Sequence, residues 1–163
     1  MTPRPRGCAS GEITLPFAQR LCRAPSNYQP PAIMQQSFAV LTTALLFGGM
    51  TLYSFGFAAF LFTAFPAAQA GTALRKAFPW FYAFVIATAA LAALLWWPHD
   101  ATRAALMAAV AVSTVPVRQL LMPAINRATD AGHRQRFKWL HGLSVGVTLA
   151  HIAACGWLLG HLV

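Results

Sequence analysis

Charge is scarce in this chain of 163 residues, and negative charge is scarcer still. Only 9% of the residues are charged, and three acids stand against twelve lysines and arginines, whereas an ordinary soluble domain has about 25% charged residues. No charge occurs in residues 24–74, 77–99 or 139–163, and 18 or more consecutive apolar residues mark a membrane span. The lack of charge argues against a soluble domain and predicts a small polytopic membrane protein.

The residues that carry nucleic-acid binding, disulfide or catalytic chemistry are also few. The basic residues lie between apolar stretches and form no stripe interleaved with aromatics, so we predict no nucleic-acid partner. Of the three cysteines, Cys155 stands alone in the apolar part of the chain, which favours neither a disulfide framework nor a cysteine-based metal site. Outside the N-terminal segment the two acids, Asp100 and Asp130, fall in predicted loops. We therefore predict no enzymatic activity and no cofactor.

The first 33 residues differ from the rest. They hold six of the eleven prolines, two of the three cysteines and four arginines, with no apolar period, which is typical of a disordered tail. Met34 follows directly, and we expect it to be the true start; a real flexible tail is the alternative. A cleaved signal peptide is not expected, because the apolar run 38–62 is longer than the 7–15 residues of a signal core.

The apolar stretches predict an all-α, four-helix transmembrane bundle in residues 34–163. The spans are expected at about 38–62, 79–97, 101–122 and 139–162. Pro79 suits a first helical turn, because its missing N–H has no helical partner there. Aromatic residues near Trp80 and at Trp96 and Trp97 suit the two membrane interfaces. Short connections make the helices antiparallel neighbours.

The distribution of basic residues predicts the orientation. Lys and Arg accumulate in cytoplasmic loops, and one side of the predicted bundle carries six of them against Arg103 alone on the other. With Met34 as the start, both termini face outward; the four arginines of the tail would bring the count to six against five. We expect a multi-pass protein of the bacterial inner (plasma) membrane. The six residues are Arg75, Lys76, Arg127, Arg134, Arg136 and Lys138.

Three segments resemble the transmembrane-protein-205-like family of small membrane proteins with a domain of unknown function. They are "FTAFPAAQAGTALRKAFPWFY" at residues 62–82, "VPVRQLLMP" at 115–123 and "HGLS" at 141–144. The resemblance spans residues 48–149. It implies a four-span membrane protein without an established reaction, and a eukaryotic relative linked to resistance against platinum compounds.

Arg118 is an ionisable residue inside the third predicted span, which makes it a candidate functional residue. It lies five residues before Pro123, about 7.5 Å along a helix, so its side chain can reach the headgroups by snorkelling. An anion or lipid-phosphate contact is the alternative. Pro116, two residues earlier, is expected to kink the helix.

The fourth span has two distinct faces. One is a polar stripe; the other carries small residues, which allow helices to approach closely in lipid. Both are expected to face the bundle or a second copy of the chain, giving a homo-oligomer through the fourth helix. The polar stripe serves either packing alone or a site near the bilayer centre, with His151 as its main residue. The polar stripe comprises His141, Ser144, Thr148, His151 and Cys155, and the small-residue stripe Gly142, Gly146, Ala153, Gly156 and Gly160.

These residues leave three functions open. The first is a binding, transport-accessory or assembly role in the lipid bilayer. The second is a transporter or handling protein for soft metal or metal-drug species, with His151 and Cys155 as metal ligands and methionines nearby. The third is a haem-binding dimer, because the span histidines lie ten residues apart on one helix, about 15 Å in rise, and one chain cannot sandwich a haem.

Overall fold

The protein is an all-α bundle, as predicted. The structure, a computed structural model, describes residues 31–161. Four helices follow one another, each long and apolar enough to cross a membrane, and no strand occurs in this part of the chain. The predicted disordered tail lies outside the described residues, apart from its last three positions, which begin the first helix.

Two of the four helices are continuous α-helices and two contain a π-helical turn. Helix α1 consists of Pro31–Thr51, the π-helical turn Leu52–Phe57 and Ala58–Ala64. Helix α2 is Ala67–Trp96. Helix α3 consists of Ala101–Pro116, the π-helical turn Val117–Leu121 and Met122–Asp130, and helix α4 is Arg134–Gly160.

The helices are longer than the predicted spans. The second was expected to begin at Pro79, but α2 begins at Ala67, so Pro79 and the neighbouring Arg75 and Lys76 lie inside the helix rather than in a connection. The third continues beyond 122 to Asp130, and the fourth begins at Arg134 rather than 139. Charge marks the edge of the hydrocarbon layer, whereas a helix can continue into the headgroup region, where basic side chains stay hydrated.

Each of the three short connections contains a residue that favours the end or the start of a helix. Pro66 precedes α2, where a residue without an N–H costs no helical hydrogen bond. Asp100 caps α3, because its Oδ1 accepts hydrogen bonds from the backbone N–H groups of Thr102 and Arg103 at 2.9 and 3.0 Å. Gly132 takes a φ of +67° between α3 and α4, a conformation that side chains disfavour. These three turns make successive helices antiparallel.

The four helices form a square, in which each helix packs on two neighbours. Helix α2 packs along both α1 and α3, while α4 packs mainly on Pro31–Thr51 of α1 and Met122–Asp130 of α3. One buried polar contact joins α1 to α2: the indole Nε1–H of Trp96 donates to Thr43 Oγ1 at 3.2 Å. The largest fully buried side chains are Trp96, Leu46, Met50, Met107 and Leu158.

The outer surface has the apolar character of a membrane protein. Large apolar side chains face outward along every helix, far beyond the isolated exposed residues of a soluble monomer. Trp80, Trp97 and Trp139 are 79%, 77% and 74% exposed, as expected for aromatic residues at the headgroup level. The outward-facing apolar residues include Leu45, Leu52, Phe60, Leu91, Leu94, Val112, Leu120 and Leu143.

The small-residue stripe of α4 was expected to face the bundle or a second copy of the chain, and most of it faces away from the bundle. Gly142, Gly146 and Gly160 are exposed, and a Cβ added at any of them would meet open space. Only Gly156 is in close contact, because a Cβ there would lie 3.2 Å from the ring of Phe47 on α1. The polar stripe occupies the inward face instead. The homo-oligomer through α4 stays a prediction.

We expect Gly156→Leu to destabilise the monomer and Gly146→Leu to leave it unchanged. A leucine at 156 forces Phe47 aside, and overpacking of this kind costs about 1–3 kcal/mol. A Cβ added at 146 meets open space. Thermal denaturation of both variants in detergent measures the difference. Equal melting temperatures for Gly156→Leu and the parent would show that α1 and α4 do not pack as described.

Candidate ligand-binding cleft

The end of the bundle that carries the α1–α2 and α3–α4 connections contains a large cleft. The helical region has eight basic residues, and all of them except Arg103 and Arg118 lie at this end. We call it the basic end. The cleft has a volume of about 700 Å³ and is lined by all four helices. Small-molecule sites in proteins occupy about 300–1,000 Å³.

The cleft opens where α1 and α4 part. Beyond Thr51, α1 packs on α2, whereas α4 packs on the part of α1 before that residue. The π-helical turn Leu52–Phe57 lies at this point, with the N–H of Ala58 donating to the carbonyl of Tyr53. π-helical turns interrupt α-helices frequently at functional sites. The change in packing along α1 therefore leaves the basic half of the bundle open.

A second π-helical turn lies in α3 next to the cleft. It follows Pro116, where a kink was expected, and the N–H of Met122 donates to the carbonyl of Val117. Proline lacks the N–H that would complete the preceding turn, so a local change of helix type follows it. Met122, Ile125, Asn126 and Thr129, which come after this turn, line the cleft.

Aromatic side chains form the inner wall of the cleft. The rings of Tyr53 and Phe81 stack with centroids 4.0 Å apart and planes at 11°. Phe78 and Tyr82 stack at 5.9 Å and 18°. Stacked aromatic rings present a rigid apolar surface. Further apolar lining comes from Phe55, Phe62, Leu74, Phe137, Val145 and Leu149.

Two tyrosine hydroxyls lie at the floor of the cleft. The Tyr82 hydroxyl and Ser144 Oγ are hydrogen-bonded at 3.1 Å and buried, which joins α2 to α4. The Tyr53 hydroxyl is buried and has no hydrogen-bond partner within residues 31–161. An unsatisfied buried donor costs about 1–3 kcal/mol. The floor of the cleft therefore carries hydroxyl groups that can form hydrogen bonds, although its walls are apolar.

The mouth of the cleft carries one formal charge. Arg75 is the charged residue among those that line the cleft, and the polar residues Asn126, Thr129 and His141 line it too. Arg75 Nη1 donates to Asp130 Oδ1 at 2.7 Å, linking α2 to the end of α3. Both side chains are accessible to solvent, and an exposed ion pair contributes little to stability. Arg75 is therefore free to exchange partners at small cost.

The predicted polar stripe of α4 divides between the cleft and the core. His141, Ser144 and Thr148 line the cleft. His151 lies one turn further along α4, where its half-buried side chain has Nε2 2.9 Å from Oγ of the exposed Ser113 of α3. Cys155 is fully buried in the packed half of the bundle. The stripe faces inward as predicted, except at His141, which is exposed at the mouth.

The structure brings no metal-binding set together. In residues 31–161, no three side chains from His, Cys, Asp and Glu lie close enough to hold a metal ion. His151 and Cys155, the predicted metal ligands, occupy one helix face without a third ligand of this kind. Met50 and His151 line one small cavity. Haem binding by a dimer stays untested.

Arg118 lies outside the cleft. It is exposed on the π-helical turn of α3, and no carboxylate of the described residues lies within ion-pair distance. This position fits both snorkelling and contact with a lipid phosphate.

Sequence reasoning missed the residues that give the cleft its character. Tyr53, Tyr82 and the Arg75–Asp130 pair were not among the predicted site residues. A usable signal was present: Tyr53 and Tyr82 are the two tyrosines within the apolar stretches, and a buried tyrosine hydroxyl usually requires a hydrogen-bond partner.

The comparison with protein families matches this region of the chain. Residues 41–134, more than half of the chain, match the family described as a domain of unknown function, DUF4149. The chain belongs to the DUF4149 family. Neither the comparison with curated proteins nor that with solved structures found a match. In this DUF4149 chain, the matched region contains the cleft residues of α1, α2 and α3. The polar stripe of α4 lies after the matched region.

Proposed function

We propose that this DUF4149 protein is a membrane-embedded binding protein that holds an anionic amphipathic molecule in its cleft. The observation that carries the proposal is a cleft of about 700 Å³ with apolar walls and a single charged lining residue, Arg75, at its mouth. An apolar chain or ring fits the walls, and an acidic headgroup fits Arg75. The role is one of binding, transport assistance or assembly rather than catalysis.

The charge around the mouth favours an acidic headgroup. Arg75, Lys76 and the basic residues at the start of α4 lie at this end, and Asp130 is the acid among the described residues there. A surface with charge of one sign attracts ligands with charge of the opposite sign. Since Arg75 is held only by an exposed ion pair, a carboxylate or phosphate can replace Asp130 at little cost.

The ligand enters from the bilayer. The lining residues on the outer edges of the cleft are Phe55 and Phe62 on α1 and Val145 and Leu149 on α4, and all four are exposed. These edges are apolar and lie along the membrane-facing surface. A lipid-soluble molecule can therefore pass between α1 and α4 without crossing water.

We further propose that the basic end faces the cytoplasm of a bacterial inner membrane. Basic loops are retained on the cytoplasmic side, so both ends of the four-helix region then lie outside. We also propose kinship with the transmembrane-protein-205-like family, on the strength of the three segments quoted above. The region that matches the family, residues 41–134, contains two of these segments, and "HGLS" lies after it.

Cysteine labelling tests the orientation. Gln69→Cys in the first turn of α2 and Ala131→Cys in the α3–α4 connection place exposed thiols at the basic end, in a background with Cys8 and Cys22 replaced by serine; Cys155 is buried. We expect a membrane-impermeant maleimide to label neither site in intact cells and both after lysis. Labelling of both sites in intact cells would reverse the orientation.

Filling the cleft tests the binding proposal. Gly71 lines the cleft, and a Cβ added there meets open space, so Gly71→Leu places its side chain in the volume of the ligand. Gly48→Leu is the matched control, because Gly48 also meets open space but lies on the exposed face of α1 outside the cleft. The molecules that co-purify with each protein are extracted and quantified by mass spectrometry.

We expect an acidic amphiphile in the parent protein and in Gly48→Leu. Its amount should fall at least about tenfold in Gly71→Leu, equivalent to about 1.4 kcal/mol of binding free energy. Equal amounts in the two variants, or no acidic amphiphile in the parent, would contradict the proposal.

A further inference from the structure

A second, much smaller cavity lies directly beneath the floor of the cleft. Its volume is about 10 Å³, the least that holds one water molecule. Tyr82 and Thr148 line both this cavity and the cleft. His151 of α4 and Thr114 of α3 line this cavity but not the cleft. It therefore lies between the cleft and the histidine.

The hydrogen bonds of Ser113 determine the tautomer of His151. A serine hydroxyl has one proton, and that of Ser113 is directed to the backbone carbonyl of Ala109 at 2.6 Å. The contact of 2.9 Å between Ser113 Oγ and His151 Nε2 must then have Nε2–H as donor. In the neutral imidazole this leaves Nδ1 with a lone pair.

The cavity offers the partners that a water molecule needs. Thr114 Oγ1 donates its proton to the carbonyl of Val110 at 2.7 Å, and Thr148 Oγ1 donates to that of Ser144 at 3.0 Å. Both threonine oxygens therefore remain acceptors. When Ser144 donates to Tyr82, the Tyr82 hydroxyl keeps its own proton to donate. A buried water needs two to four polar partners, and these groups supply them.

We propose that this cavity holds one water molecule, which connects His151 to the Tyr82–Ser144 pair and forms a proton path between the cleft and the centre of the bilayer. A proton from a group in the cleft passes to Ser144 Oγ, Ser144 passes its own to Tyr82, and Tyr82 passes its own to the water. The water gives one proton to Nδ1 of His151. Each hydroxyl gains and loses one proton, and the net product is an imidazolium.

No charged group competes with this path. Of the residues lining the cavity, Tyr82 on α2 and His151 on α4 are the ones that titrate, while Met50 on α1 and Thr114 on α3 do not. Cys155 lies one turn further along α4. The path does not depend on the identity of the cleft ligand, so it goes beyond the proposed function.

Solid-state NMR of the full chain in lipid bilayers tests the water site. The protein is labelled with ¹⁵N-histidine, and His151→Gln assigns the His151 signals among the five histidines. We expect Nε2 protonated, Nδ1 unprotonated, and polarisation transfer from a rigid water to His151. Val147→Ile adds a methyl group to the cavity wall and should abolish that transfer. Val112→Ile, on the exposed face of α3, should leave it unchanged.

Exchange with deuterium tests the path itself. Ser144→Ala should slow exchange at His151 several-fold while the rigid water is retained; Ser37→Ala, at an exposed position on α1, is the control. A parent protein without a rigid water at His151, or Val147→Ile with unchanged transfer, would overturn the water site. Unchanged exchange in Ser144→Ala would overturn the path. Neither result bears on binding of an amphiphile, which the Gly71 variant tests separately.

Discussion

A polar group within the hydrocarbon layer must find its hydrogen-bond partner inside the protein, and most of this structure follows from that constraint. Continuous helices pair the backbone groups. Span threonines obey the same rule, since Thr43, Thr51, Thr88, Thr114 and Thr148 each donate to the carbonyl four residues earlier. Apart from the Trp96–Thr43 hydrogen bond, the polar groups that pair between helices or lack a partner lie at or next to the cleft: the Tyr82–Ser144 pair, the Tyr53 hydroxyl and the His151–Ser113 pair. That concentration of inter-helix polarity separates a site from ordinary packing.

The two π-helical turns divide the bundle into a packed half and an open half. On one side of them lie the buried Trp96, Met50, Met107 and Leu158, with the Thr43–Trp96 hydrogen bond between α1 and α2. On the other side, α1 leaves α4 and the cleft begins. A π-helical turn contains an extra residue, so it rotates the helix face that follows it. The face of α1 that points into the core before Thr51 therefore points elsewhere beyond Phe57. The packed half gives rigidity to the walls of the open half.

Sequence patterns predicted the helices and the inward polar face of α4, because hydropathy and helical period are local properties. They placed the helix ends wrongly, since charge marks the edge of the hydrocarbon layer and Arg75 and Lys76 lie on a helix that extends past it. They left open whether the small-residue stripe faces the bundle or a second copy of the chain, and within the monomer only Gly156 of its glycines has a close neighbour. The cleft could not be predicted, because it depends on the separation of α1 from α4 and on contacts such as Arg75–Asp130, which lie 55 residues apart.

The central claim is that the open half of the bundle is a binding site for an amphiphile. A structure determined experimentally in a lipid bilayer tests it most directly. We expect elongated non-protein density between α1 and α4, along the Tyr53–Phe81 stack, with its polar end within hydrogen-bond distance of Arg75. A closed bundle in which Phe62 of α1 packs against Leu149 of α4 and no density lies between them would contradict it.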